Sequence, residues 1–111
     1  MICERWDVVV VPFPFLERPV AKSRPALVQS SARFNEENGH TILAMITTGA
    51  GSSWPSDHEI AELKETGLRH RSLVRWKLFT LPNELLSRTI GSLSRADRAA
   101  VREMSKAVFA D

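Results

Sequence analysis

The sequence predicts a mainly β domain: a small, strongly bent sheet or partly open barrel with one C-terminal helix packed on it. Three observations point there. Short runs rich in β-branched and aromatic residues recur along the chain, separated by Pro, Gly, Asn and Ser signals. A single apolar stripe at helical spacing stands near the C-terminus. No linker, internal repeat or low-complexity tract interrupts the 111 residues, so 1–111 reads as one domain, 43% hydrophobic. A chain of this size can bury roughly two-thirds of its unfolded surface without a staple.

The elements follow in order. "WDVVVVPFPF" (6–15) is continuously apolar and reads as a strand buried on both faces, ended by Pro12 and Pro14. "LERPVAKS" is a polar loop. "RPALVQSS" is a second strand whose Pro25 must sit at its start or on an edge, since proline cannot donate to the ladder. "ARFNEENG" predicts a turn or short helical turn, "HTILAMITT" a third strand, and "GAGSSWPS" a loop. "DHEIAEL" is a weaker strand and "KETGLRH" a turn around Gly67. "RSLVRWKLFTL" alternates, with Leu73 and Arg75 on one face and Val74 and Trp76 on the other. "PNELLSR" is one helical turn, and "TIGSLS" a short strand or an extended lead-in to the last helix. Ser94 with Asp97 forms a capping-box variant ahead of "RADRAAVREMSKAVFA", where Val101, Met104 and Val108 give the packing stripe, with Ala100 and Ala107 beside it.

Composition excludes several classes. The longest apolar stretch is broken by two prolines and falls far short of the roughly 20 residues of a membrane span. "MICERWD" has acidic residues where a signal peptide carries basic ones, which places the protein in the cytoplasm. The lone Cys3 cannot form an internal disulfide, in keeping with a reducing compartment. The net charge of +2 and pI of about 9.1 permit a polyanionic partner without requiring one. Lys22 with Arg24, the cluster Arg69, His70 and Arg71, and the pair Arg75 and Lys77 fall in turns or at strand edges. Arg95, Arg98, Arg102 and Lys106 share one helix face, an ordinary solvated face.

The side-chain chemistry narrows further. His40, His58 and His70 are scattered, His70 lies between two arginines, and neither an i, i+4 His pair nor a CxxC is present, so no metal site is expected. Asp57 and Glu59 share a strand face with His58 opposite. No nucleophile elbow of the GxSxG kind exists, and "GAG" (49–51) lacks a P-loop lysine or dinucleotide fingerprint, so no cofactor is expected. What is left is a polar constellation. Pro25 biases Arg24 toward an extended backbone and stiffens it. Thr47 and Thr48 end the third strand. If strands two and three are antiparallel neighbours, a guanidinium, hydroxyls and glycine amides converge at one end of the sheet, a set suited to a phosphate. On composition and spacing alone, a structural role for both residues outweighs a phosphate site. Trp6 and Trp76 read as core, while Trp54 divides between RNA or partner contact and anchoring of its loop.

"RWDVVVVPFPF", "KSRPALVQSS", "LAMITT", "ETGLRHRSLVRWKLFTL" and "IGSLSRADRAAV" stand in the order seen in the PemK/MazF family of toxin–antitoxin ribonucleases, which the chain resembles from about residue 4 to 108. The resemblance implies an SH3-like barrel with a C-terminal helix and a homodimer. It also implies metal-independent, sequence-selective cleavage of single-stranded RNA to a 2′,3′-cyclic phosphate, and neutralisation by a cognate antitoxin. Arg24 matches the catalytic arginine and Thr47 the catalytic threonine; Thr48 would assist. Lys22, Thr48, Trp54, Arg75 and Lys77 are the expected RNA contacts, and the loop from Pro14 to Ser23 matches the family's loop near substrate and antitoxin. Two departures stand out: Trp6 occupies the place where the family usually carries Gly, and Lys77 the place where some members carry an acid. Two other functions remain open beside the nuclease, a non-catalytic toxin of the same fold that binds DNA gyrase and a degenerate antitoxin-binding module.

Overall fold

A computed structural model of the chain describes residues 1–13 and 22–110. The strands are β1 (Asp7–Phe13), β2 (Lys22–Val28), β3 (His40–Thr47), β4 (His58–Glu59), β5 (Leu73–Pro82) and β6 (Arg88–Ser92); the helices are α1 (Ala32–Asn38) and α2 (Arg95–Val108). They build one curled six-stranded sheet in the order β4-β5-β3-β2-β1-β6, antiparallel at every junction, with α2 behind it. This is the bent, helix-backed sheet that the sequence predicts. Among the described residues no helix is long and apolar enough to cross a membrane.

The curl lets the sheet bury both faces. Val8, Leu27, Ala44, Ile46, Val74 and Trp76 join Trp6, Ile60, Leu93 and Val101 in one core. Val9, Val11, Ala26, Val28 and Leu43 form a second core with Cys3, Leu81 and Leu86. The unbroken valine run of β1 follows from this: Val8 serves one core, and Val9 and Val11 the other. Each fully buried aliphatic side chain stabilises by roughly 1.5–3 kcal/mol relative to exposure.

Several elements differ from their sequence-based expectation. The 32–38 segment is a seven-residue helix, capped by Ser31, whose Oγ accepts from Phe34 N at 3.1 Å, and ended by Gly39 at φ 65°. The "DHEIAEL" strand shrinks to two residues, His58 and Glu59, paired with Val74 and Leu73 of β5. The packing stripe of α2 fades: Val101 is fully buried and Met104 half-buried, but Val108 is 41% exposed and Ala100 and Ala107 face outward. Nor is its basic face simply solvated. Arg98 Nε donates to Leu93 O at 2.6 Å, and the Arg102 guanidinium lies 5.4 Å from the Trp6 ring centroid.

Ser94 caps α2, accepting from Asp97 N at 3.2 Å, and the expected box is rearranged. Asp97 does not reach back to the Ser94 amide. It accepts from Ser94 Oγ, from Ala61 N (2.9 Å) and Glu62 N (3.0 Å), and from His58 Nε2 at 2.7 Å. Burial pushes this carboxyl up, yet the bonds from Ala61, His58, Glu62 and Ser94 together hold it below the usual carboxylate range. One aspartate thus ties the start of α2 to the segment after β4.

Candidate functional site

The site forms where β2 and β3 part. Their ladder runs from Val28↔Leu43 to Ala26↔Met45. Pro25 has no N–H to offer, and the ladder stops there. Continued two residues further, the same register sets Arg24 opposite Thr47. The antiparallel neighbourhood on which the convergence depends is therefore present. Arg24, Thr47, Thr48 and Ser72 line one hollow of about 130 Å³ with Pro25, Met45 and Ile46.

The hydrogen bonds around the threonines set what they can do. Thr47 Oγ1 accepts from Gly49 N at 3.2 Å, and Thr48 Oγ1 from Ala50 N at 3.4 Å. These turns engage the hydroxyl oxygens as acceptors and leave their protons to donate. Arg24 is exposed, and its guanidinium carries no hydrogen bond or ion pair among the described residues. Three donors, with no competing carboxylate among the described residues, suit an anionic oxygen. The expected glycine amide contributes differently: Gly49 N is turned onto Thr47 and away from a ligand. Ser72, buried, donates its hydroxyl to His70 O at 2.8 Å and so offers the hollow an acceptor oxygen. Sequence reasoning missed Ser72, although it stands just before β5, where it faces the end of β3.

The expected RNA contacts separate into two groups. Lys22, Lys77 and Thr48 are exposed, Lys22 at the first position of β2 opposite Phe13 and Lys77 in the stretch of β5 where the pairing with β3 shifts register. Arg75 is not placed for contact. It is 5% exposed, and the expectation of a phosphate partner gives way to a buried ion pair. Its Nε donates to Asp57 Oδ1 at 3.0 Å, Nη2 to Asp57 Oδ2 at 2.8 Å and Nη1 to Ser52 Oγ at 2.9 Å. The Arg75 bond holds the Asp57 carboxyl below its ordinary range. Trp54 covers this pair, with the Arg75 guanidinium 5.3 Å from its ring centroid, and its backbone N–H donates to Asp57 at 2.9 Å. The ring is 39% exposed, so it anchors the loop and still shows a face to solvent.

Neighbouring residues 57–59 diverge. Asp57 turns to Arg75, His58 to Asp97, and Glu59 to Arg71 at 3.0 Å. Trp6 and Trp76 are core residues as expected, 6% and 9% exposed. The loop expected near substrate lies, from residue 14 to 21, outside the described residues.

Comparison with known proteins decides the family. A model of the PemK-like, MazF-like toxins of type II toxin–antitoxin systems matches residues 4–109. The chain belongs to this family. A PemK/MazF-like toxin fold is also what the solved structures show. MazF from Deinococcus radiodurans superposes with a TM-score of 0.76 at 18% identity, over 100% of this chain and 99% of that one. Mycobacterium tuberculosis toxin MazF-mt6 gives 0.73 at 21%, over 93% and 95%. A mycobacterial endoribonuclease in complex with its cognate antitoxin gives 0.74 at 15%, over 96% and 91%. At such identities the likeness carries the fold. A search of curated protein sequences found no match.

Proposed function

We propose that this PemK/MazF-like toxin is an endoribonuclease that cleaves single-stranded RNA in the cytoplasm. The single observation that carries the reading is the register of β2 and β3, which faces Arg24 toward Thr47 across one hollow lined by hydroxyl donors. The substrate brings its own nucleophile. The 2′-oxygen forms a bond to the adjacent phosphorus and the bond from phosphorus to the 5′-oxygen breaks. The 2′-hydroxyl releases its proton and the 5′-oxygen gains one, leaving a 2′,3′-cyclic phosphate and a 5′-hydroxyl. Arg24 neutralises the extra charge on the phosphorane, and Thr47, assisted by Thr48, holds a non-bridging oxygen. Preorganised donors of this kind act by alignment and electrostatic stabilisation, and removal of one costs about 10²–10³-fold in rate. Arg75 acts through the loop: with Asp57 and Trp54 it holds residues 52–57 against the start of β5. Lys22, Lys77 and the open face of Trp54 border the path of the RNA. A homodimer neutralised by a cognate antitoxin fits the family and the antitoxin complexes among its relatives.

The test is incubation of the purified protein with a long RNA in excess EDTA, beside Arg24→Ala, followed by end-group analysis. Fragments with 5′-hydroxyl ends, lost in the variant, are expected. RNA left intact across many sequence contexts overturns the nuclease and moves the assignment to gyrase or antitoxin binding.

A further inference from the structure

A larger groove of about 340 Å³ lies on the other side of Arg24–Pro25, sharing those two residues with the hollow. Arg69, His70 and Arg88 line it over an apolar floor that includes Val10, Leu68 and Ile90. Among the described residues no acidic side chain lines it. Three exposed cations outside the groove take acidic partners: Arg33 takes Glu37, Arg71 takes Glu59 and Lys106 takes Glu103. Arg69 and Arg88 are exposed, and among the described residues their guanidiniums have no such partner.

The frame beneath these cations is rigid. Gly67 has φ 77°, and a Cβ there would lie 2.2 Å from Ile90 O; a Cβ on Gly91 would lie 2.3 Å from Glu65 O. The 64–66 turn and β6 are thus pressed backbone to backbone, a packing open only to glycine at these two positions. Thr66, fully buried, pins the turn: Oγ1 donates to Leu63 O at 2.6 Å and accepts from Leu68 N at 3.1 Å. The turn leads directly into Arg69 and His70, and β6 begins at Arg88.

We propose that this groove carries the RNA strand beyond the cleavage hollow, with Arg69 and Arg88 contacting flanking phosphates. The inference rests on reading the hollow as the cleavage site. The groove adjoins the hollow at Arg24 and Pro25, so a polymer cut there can run on into it, and it carries one charge per nucleotide. Free guanidiniums on a fixed frame answer that charge pattern, and the apolar floor suits ribose and base faces. An acidic peptide shares the charge, and the test separates it from RNA.

The test uses the full chain and a pool of short single-stranded DNA oligonucleotides, which keep the phosphates and lack the 2′-hydroxyl, so binding is read without cleavage. Fluorescence anisotropy is followed against salt for wild type, Arg69→Ala/Arg88→Ala, and Arg33→Ala/Arg71→Ala as a charge-matched control outside the groove. Each phosphate contact on a single strand contributes about 0.7 to the slope of log K against log salt. The double variant should lose about 1.4 in slope and about tenfold in affinity near 100 mM salt, with unchanged thermal unfolding; the control should lose less than half of either. Equal slopes for wild type and double variant overturn the proposal. So does an unchanged slope with weakened binding of polyglutamate, which would assign the groove to an acidic peptide. If wild type cuts no RNA yet the double variant loses slope, the cleavage reading fails and the groove stands as a nucleic-acid site.

Discussion

Trp6 shows how a single position can carry opposed energies. It has φ 82°, the left-handed region, at the place where the family usually carries glycine. That conformation costs a non-glycine residue roughly 1–2 kcal/mol. The indole offsets this: it is 6% exposed in the core, with the Arg5 guanidinium 4.3 Å from its centroid and Arg102 on the ring as well. Removing a buried tryptophan costs about 3–5 kcal/mol. Packing therefore outweighs strain, and Trp6→Gly should be destabilised by about 1–4 kcal/mol, read as a lower Tm in thermal unfolding. A glycine variant as stable as wild type would mean that the backbone strain dominates. The departure at residue 6 was legible in the sequence, but the positive φ was not, because Trp6 read as the start of the first strand. The two stacked arginines were not, because Arg102 arrives from α2, far along the chain. Thr47 admits a similarly sharp test. Its oxygen is held by Gly49 N and its proton is free, so Thr47→Ser should retain cleavage, while Thr47→Val should lose about 10²–10³-fold in kcat/KM. Equal activity in both variants would remove the hydroxyl from the mechanism.

At the scale of elements, the link between α2 and the 58–62 segment hangs on Asp97. The cap itself was legible as Ser94 with Asp97, since capping is local. The other three partners of the carboxylate were not, because His58, Ala61 and Glu62 lie 35–39 residues away. The same holds for Arg75: alternation placed it on a strand face, but only the fold brings Asp57 under its guanidinium. Asp97→Asn keeps the shape and presents an amide N–H to groups that are themselves donors. Each buried donor left unsatisfied costs about 1–3 kcal/mol, so this variant should lose about 2–4 kcal/mol in urea unfolding at neutral pH. The loss should shrink in acid. The folded carboxyl titrates below its unfolded value of about 3.9. Its stabilisation is therefore complete above that pH and disappears as pH falls through the lower folded value. A difference between wild type and Asp97→Asn that stays constant down to pH 2 would show that the charge contributes nothing.

Across the whole molecule, ionisable groups divide between architecture and site. The two carboxyls held below their ordinary range, Asp57 and Asp97, both brace loops against strands or helix, and neither lines the hollow. The hollow's described lining contains no carboxylate and no imidazole; its polar side chains are Arg24, Thr47, Thr48 and Ser72. The overall fold, and the meeting of Arg24 with Thr47, could be read from strand order, since antiparallel neighbours bring the start of one strand to the end of the next. The division of charge could not, because it depends on which side chains the curl of the sheet turns inward. It has a consequence for pH. If the proposed cleavage uses no side-chain base and the 2′-hydroxyl proton passes to solvent, log kcat/KM should climb about one unit per pH unit from roughly 6 to 9. A base with an imidazole's usual pKa of about 6.5 would instead impose a plateau above neutrality. On the acid side, activity should fall together with folded structure, as Asp57 and Asp97 are protonated and their bracing is lost. Initial rates and far-UV circular dichroism on the same samples check both limbs. A plateau that vanishes in His70→Ala would place a catalytic base in the neighbouring groove and overturn the solvent route.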